Sequence, residues 1–203
     1  MKIVIFGATG NTGLCSLEHA VTEGLKTTAF VRDKEKVPIH LRDKINIVVG
    51  DVTNAEQVSN AVAGMDGVVV ALGTRNNLKP TTDLSTGMKN ILDAMKQHDV
   101  HLVSICLSAF LFYKPENVPA IFQALNEDHQ RMFDLIKESQ LKWIAVLPPH
   151  IADEPLSRYT VKYDESPGRA ISKYSLGKFL VESLKAPEHY QKICGIADTA
   201  SLK

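Results

Sequence analysis

The chain has no apolar run long enough to span a bilayer, which excludes a helical membrane protein. It also lacks a surplus of either charge. Its 23 Lys and Arg balance 23 Asp and Glu, whereas nucleic acid or an anionic membrane surface as partner calls for a basic excess. Cysteine is scarce: Cys15, Cys106 and Cys194 are too few and too scattered for a disulfide framework or a metal knuckle. Cys15 falls on an expected helix and Cys106 in an expected buried strand, where both read as small core hydrophobes. His98 and His101 flank a loop-to-strand junction with no further ligand nearby, so no metal is assigned. Repeats and low-complexity tracts are absent. A strand pattern begins at once, leaving no room for a signal peptide. A reducing, cytoplasmic setting is expected, for a chain whose length suits one domain with a sizeable core.

What the chain does have is concentrated at its start. Residues 3–6 are apolar and run into Gly7, Gly10 and Gly13, and a helical pattern follows. A strand, a glycine turn and a helix N-terminus bring unpaired backbone N–H groups and the positive end of a helix dipole to one point. That point suits a pyrophosphate. The spacing is G-x-x-G-x-x-G, not the strict G-x-G-x-x-G of dinucleotide binding, but the glycine roles carry over. Gly7 ends the strand, Gly10 has no Cβ to block phosphates, and Gly13 lets the helix sit close on the sheet. The competing reading is a strand-to-helix turn with no ligand. The place of the motif at the head of an alternating pattern favours the nucleotide.

Strand patterns at residues 3–6, 27–31, 45–49, 67–72, 101–107 and 142–147 alternate with helical ones at about 12–23, 54–62, 82–98, 123–139 and 173–184. Residues 67–72 are almost wholly apolar, as in a parallel strand covered on both faces. Asn54 is a good N-cap, and Met88, Ile91, Leu92 and Met95 share one helix face. After Pro148 the pattern loosens into loops with a strand at 159–163 and a weak one near Ile193. The alternation predicts an α/β fold with a doubly wound parallel sheet and right-handed crossovers, in a single domain over residues 1–203. Ligands of such sheets lie beyond the carboxyl ends of the strands. That rule selects the loops after Phe6, Val31, Val49, Leu72, Leu107 and Leu147, with a small substrate-side region from loops at about 108–122 and 148–172.

Those loops carry the candidate chemistry. Arg32 follows the second strand, and Lys34 and Lys36 add positive charge. A guanidinium can hold a ribose 2′-phosphate, which favours NADP over NAD; Asp33, the acidic alternative, can equally cap the turn that follows. Asp51 either accepts from an adenine amino group or caps the next helix. Gly73 lets backbone lie against a cofactor, and Arg75 faces phosphate, substrate or a loop carboxylate. Ser108 either points a hydroxyl at the substrate or serves its own turn. No G-x-S-x-G elbow surrounds it, so acyl transfer is not indicated. Pro148 and Pro149 fix an extended backbone whose carbonyls can meet a carboxamide, with His150 at the rim. His129 lies on the helix after strand five, a position where a lone histidine is commonly structural.

Together these residues resemble the atypical short-chain dehydrogenase/reductase group, and within it the flavin- and bilin-reducing members. The resemblance runs from residue 2 to about 182. It rests on Ile-Phe-Gly-Ala-Thr-Gly-Asn-Thr-Gly, Val-Arg-Asp, Val-Val-Gly-Asp-Val, Leu-Gly-Thr-Arg-Asn, Ser-Ala-Phe-Leu, Asp-His-x-Arg-Met, Pro-Pro-His-Ile and Ile-Ser-Lys. It implies a Rossmann-like monomer that binds NADPH and reduces planar acceptors, flavins or bilins, with flavin as a diffusing substrate. By position, Gly7, Thr9, Gly10, Asn11, Thr12 and Gly13 bind pyrophosphate, and Arg32 and Lys36 meet the 2′-phosphate. Asp51 and Val52 meet the adenine; Leu72, Gly73 and Arg75 meet the middle of the cofactor. Ser108, His129 and His150 take the substrate side, with Pro148 and His150 also at the cofactor. Tyr174 and Lys178 have the Tyr-x-x-x-Lys spacing of many short-chain dehydrogenases but follow strand six, and are read as coincidence. The absent relay argues against ordinary alcohol oxidation. It fits equally well an NmrA-like redox sensor that binds NADPH without turnover.

Overall fold

The apolar strand patterns become the middle of one sheet in the computed structural model of the chain, which describes residues 1–75 and 77–199. The first half contains β1 (Lys2–Phe6), α1 (Asn11–Thr22), β2 (Lys26–Val31), the short α2 (Ile39–Arg42), β3 (Asn46–Val49) and α3 (Ala55–Val62). Then come β4 (Gly67–Val70), α4 (Asp83–Gln97), β5 (Leu102–Cys106), α5 (Ala120–Glu138) and β6 (Lys142–Leu147). The chain closes with β7 (His150–Ala152), β8 (Tyr159–Tyr163), β9 (Ala170–Ser172), α6 (Lys173–Glu182) and β10 (Lys192–Asp198).

Eight strands pair in the order β3-β2-β1-β4-β5-β6-β10-β8. All neighbours are parallel except β8, which runs antiparallel to β10. The expected α/β doubly wound sheet is therefore the fold. Strand order reverses between β1 and β4, and such a switch point opens a crevice at the carboxyl ends. The glycine turn after β1 and the segment after β4 flank it.

Burial follows the two-residue period of the strands. Val4, Phe6, Val68, Val70, Val103, Ile105, Trp143 and Leu147 face a core shared with α3, α4 and α5. Ile3, Ile5, Ala29, Val31, Val69, Ile144 and Val146 face the other core, shared with α1 and α6. On α4, Leu84, Met88, Ile91 and Met95 are buried at helical spacing. Leu92 is only partly buried against the same core. Asn54 caps α3 as expected, its side chain accepting from the Gln57 N–H at 3.1 Å.

Three differences from the sequence reading have local causes. Pro119 is the residue before α5, so the helix begins at Ala120 rather than near 123; a proline is tolerated at a helix start. The stretch read as loops holds β7 and β9, a parallel pair of three residues each, too short to show a period. β4 ends at Val70, and residues 71–75 leave the sheet to run along the crevice mouth.

Candidate functional site

Gly7 has φ +80, a conformation that L side chains rarely adopt. A Cβ there would also collide with the Ala71 carbonyl oxygen, and one at Gly13 with the Gly7 carbonyl oxygen. The turn is thus packed against the segment leaving β4 on one side and against its own helix on the other. The first intrahelical bond of α1 runs from the Leu14 N–H to the Gly10 carbonyl at 2.9 Å, which leaves the N–H groups of Asn11, Thr12 and Gly13 unpaired by the helix. Gly10 stands at the N-cap with no side-chain oxygen to offer, and the first turn holds no acid. By contrast α3 and α6 are capped by Asn54 and Ser172. An uncapped helix start at a topological switch point is built to receive an anion.

Arg32, beside this turn at the exit of β2, is exposed and has no carboxylate within ion-pair distance among the described residues. Asp33, its acidic rival, is occupied: its side chain accepts from the Glu35 N–H at 3.0 Å and lies 3.9 Å from the Lys36 Nζ. The cation is free and the acid is spent on its own turn. Asp51 accepts from the N–H and hydroxyl of Thr53 at 2.9 and 2.7 Å. These bonds hold its carboxyl below the usual carboxylate range, with a smaller contribution from Arg32. The cap of α3 belongs to Asn54, so the alternative of Asp51 as helix cap is set aside. Val52 turns its methyl groups onto Gly87 of α4, and its carbonyl accepts from the Asn90 amide at 2.9 Å; its side chain serves packing.

After β4, Leu72 is half-buried, while a Cβ at Gly73 would meet nothing within 4 Å. Arg75, at φ +52, donates from Nη2 to the Thr9 hydroxyl at 3.4 Å, reaching back across the crevice to the glycine turn. Asn76, the last residue of the motif expected here, lies outside the described residues.

The exits of β5 and β6 are laced together. The Leu107 N–H donates to the Val146 carbonyl at 2.8 Å and the Ala109 N–H to the Pro148 carbonyl at 3.0 Å. The Pro148 carbonyl, read as a carboxamide partner, already holds this donor. Ser108 between them accepts from the Phe110 N–H at 3.2 Å, so it does serve its own turn, with its hydroxyl proton left to donate. His150 is exposed at the start of β7, its N–H donating to the Arg169 carbonyl at 3.3 Å. His129 sits on α5. Burial pushes its pKa down to about 4 against a weaker opposing pull from Asp128, so the ring is neutral near pH 7.

Two features escaped the sequence reading. Phe110, Tyr113 and Phe122 form an aromatic cluster just past Ser108, with Phe110 stacked on Phe122 at 5.3 Å between centroids and edge-on to Tyr113 at 5.9 Å. In the Asp-His-x-Arg-Met segment, the fully buried polar residue is Asp128, alongside the apolar Met132, and not the histidine beside it. Its spacing with Met132 and Ile136 was the available signal, since positions four apart share one helix face. Tyr174 and Lys178 lie on α6, which joins the opposite core from α5, and Lys178 pairs with Glu182 at 3.4 Å. The three cysteines are buried thiols, with desolvation raising them to about 11 for Cys15 and about 12 for Cys106 and Cys194. One trio among the described residues could hold a metal, His19 with Glu23 and Glu182. It sits at the opposite end of α1 from the glycine turn. No described helix is long and apolar enough to cross a membrane.

Comparison with known proteins agrees with this geometry. Residues 7–187 match the family model described as NAD(P)H-binding. An uncharacterised chloroplast protein of Arabidopsis thaliana is 26% identical, over 98% of this chain and 77% of its own length. A Rossmann-fold NAD(P)-binding family protein of Shigella flexneri superposes with a TM-score of 0.79 at 22% identity, covering 98% of this chain and 94% of the other. A short-chain dehydrogenase/reductase of Veillonella parvula, solved with NADP, gives 0.81 at 15% identity, covering 100% and 96%. The anaerobilin reductase ChuY of Escherichia coli O157:H7 gives 0.82 at 18% identity, covering 100% and 99%. At these identities the likeness to solved structures is one of fold. With the family model running from the glycine turn through α6, the chain belongs to the NAD(P)H-binding family, on a Rossmann-like fold.

Proposed function

We propose that this protein is an NADPH-dependent reductase that passes hydride to flavins such as FMN and riboflavin and to bilins such as biliverdin IXβ. The observation that carries the reading is α5. Where a dehydrogenase relay is expected it offers a neutral histidine and no Tyr/Lys pair, close in sequence to Phe122 of an aromatic cluster. Reduction of an electron-poor ring needs little acid–base help. NADPH supplies the hydride, and catalysis consists mainly of holding two flat rings face to face. Free Arg32, with Lys36 behind it, supports NADPH over NADH. The uncapped start of α1 takes the pyrophosphate, Asp51 the adenine edge, and Leu72, Gly73 and Arg75 the middle of the dinucleotide.

On the acceptor side Ser108 donates its hydroxyl proton, and the Pro148–His150 loop aligns the nicotinamide with the incoming ring. Flavin comes and goes as a substrate. The proton that follows hydride comes from water or from His150. His129, neutral at working pH, orients rather than protonates. The protein acts as a monomer on a small planar acceptor, without nucleic acid or membrane. The test is a steady-state assay of NADPH oxidation with FMN, riboflavin and biliverdin isomers. Acceptor-dependent loss of NADPH absorbance is the expected result. Saturable NADPH binding with no oxidation by any of them overturns the reductase and favours the redox sensor.

A further inference from the structure

We infer that Asp128 and Arg131 form a latch that sets the cofactor loop between β4 and α4, which makes both positioning residues for NADPH; the inference rests on the nucleotide reading above. Asp128 is 0% exposed on α5, and an isolated carboxylate buried this deeply is costly unless every oxygen is matched. Both oxygens are matched, Oδ2 by groups from another helix and Oδ1 by an arginine one turn along its own. Oδ2 accepts from the Leu84 N–H at 3.1 Å and the Ser85 N–H at 3.4 Å, in the first turn of α4. Thr82, at the N-cap of α4, makes no side-chain capping bond, so the cap of α4 is supplied by a neighbouring helix. Oδ1 accepts from the Nε and Nη2 of Arg131, both at 3.1 Å. The same Nη2 donates to the Thr81 carbonyl at 2.9 Å.

The consequence lies in what this grip holds. Among the described residues, and apart from local bonds to the first turn of α4 that follows it, the stretch 72–82 is hydrogen-bonded to the rest of the protein at two places. Arg75 reaches Thr9 in the glycine turn, and Thr81 is held by Arg131. Leu72, Gly73 and Arg75 lie along this stretch. Its far end is thus fastened to α5 at Arg131, two residues from His129, so that the acceptor-side helix and the dinucleotide-side loop share one anchor. A loop freed at Thr81 loses the alignment of Arg75, although Arg131 itself touches no cofactor atom.

The experiment is a double-mutant cycle on NADPH affinity, because coupling between two side chains that do not touch reports on the loop joining them. Arg131→Gln, whose side-chain amide can still donate to the Asp128 Oδ1, is expected to weaken NADPH binding about fivefold to twentyfold, with far-UV circular dichroism checking that the fold is retained. Arg131→Lys retains the charge beside Asp128 but not the two-pronged grip, and falls between. In an Arg75→Ala background, Arg131→Gln adds no more than about twofold. Full additivity of the two changes, or unaltered affinity in Arg131→Gln, overturns the latch. Wild-type protein that fails to bind NADPH at all refutes the nucleotide reading. Backbone hydrogen exchange then reads the latch without cofactor: faster exchange confined to residues 72–85 in Arg131→Gln supports it, and unchanged exchange overturns it.

Discussion

Arg32 and Asp33 are neighbours with opposite charges, and which of them faces a ribose decides between NADPH and NADH. Asp33 is bound to its own turn and Arg32 is not. Replacement Arg32→Ala is therefore expected to weaken NADPH about tenfold or more while changing NADH by less than about twofold, read by calorimetry with each nucleotide. Equal losses would refute the 2′-phosphate assignment. His129 makes a second prediction. Its folded pKa of about 4 lies below the ordinary value of 6.5. Above pH 6.5 both folded and unfolded forms are neutral and the residue leaves stability unchanged. As pH falls from 6.5 to 4 the unfolded chain takes up a proton that the folded one refuses, and stability drops by up to about 3 kcal/mol. His129→Gln should flatten urea-unfolding stability across that window; a slope as steep as wild type would contradict the burial argument.

At the level of elements, legibility tracked period and length. β1, β2, β4, β5 and β6 carry contiguous apolar residues bounded by turns, and helices such as α3 and α4 show a one-sided stripe, so each was readable. β7 and β9 were not, since three residues hold no period. The role of Asp128 was hidden for another reason: its partners, Leu84 and Ser85, lie more than forty positions away, and nothing local in α5 announces a cap for α4. The packing of α6 on α1 was equally hidden, though it leaves a mark. A Cβ at Gly177 would stand 2.7 Å from both the Cys15 Cβ and the Ser16 backbone nitrogen. Gly177→Val should push the helices apart and destabilise the protein by roughly 1–3 kcal/mol, seen as a lower denaturant midpoint. Tyr174, on the same helix and 39% exposed, lies on the side of the sheet opposite α5. Tyr174→Phe should leave flavin-dependent NADPH oxidation within about twofold of wild type, whereas a loss of tenfold or more would reinstate a Tyr/Lys mechanism.

For the molecule as a whole, the candidate site was legible wherever backbone imposed it and less so wherever side chains from distant segments met. The glycine turn could be named from its residues because its geometry admits few others. The proposed acceptor side lies at the exits of β5 and β6, which the sequence pattern marked, but the aromatic cluster there depends on α5 bringing Phe122 onto Phe110. The central claim is that the first strand-to-helix turn holds a 2′-phosphorylated dinucleotide and leaves its nicotinamide open to a flat acceptor. Isothermal calorimetry of the protein with NADPH, repeated with NADH, tests it most directly. The account predicts one saturable site per chain, with NADPH bound at least about tenfold tighter than NADH. Absence of saturable heat with NADPH, or equal affinity for the two nucleotides, would contradict it.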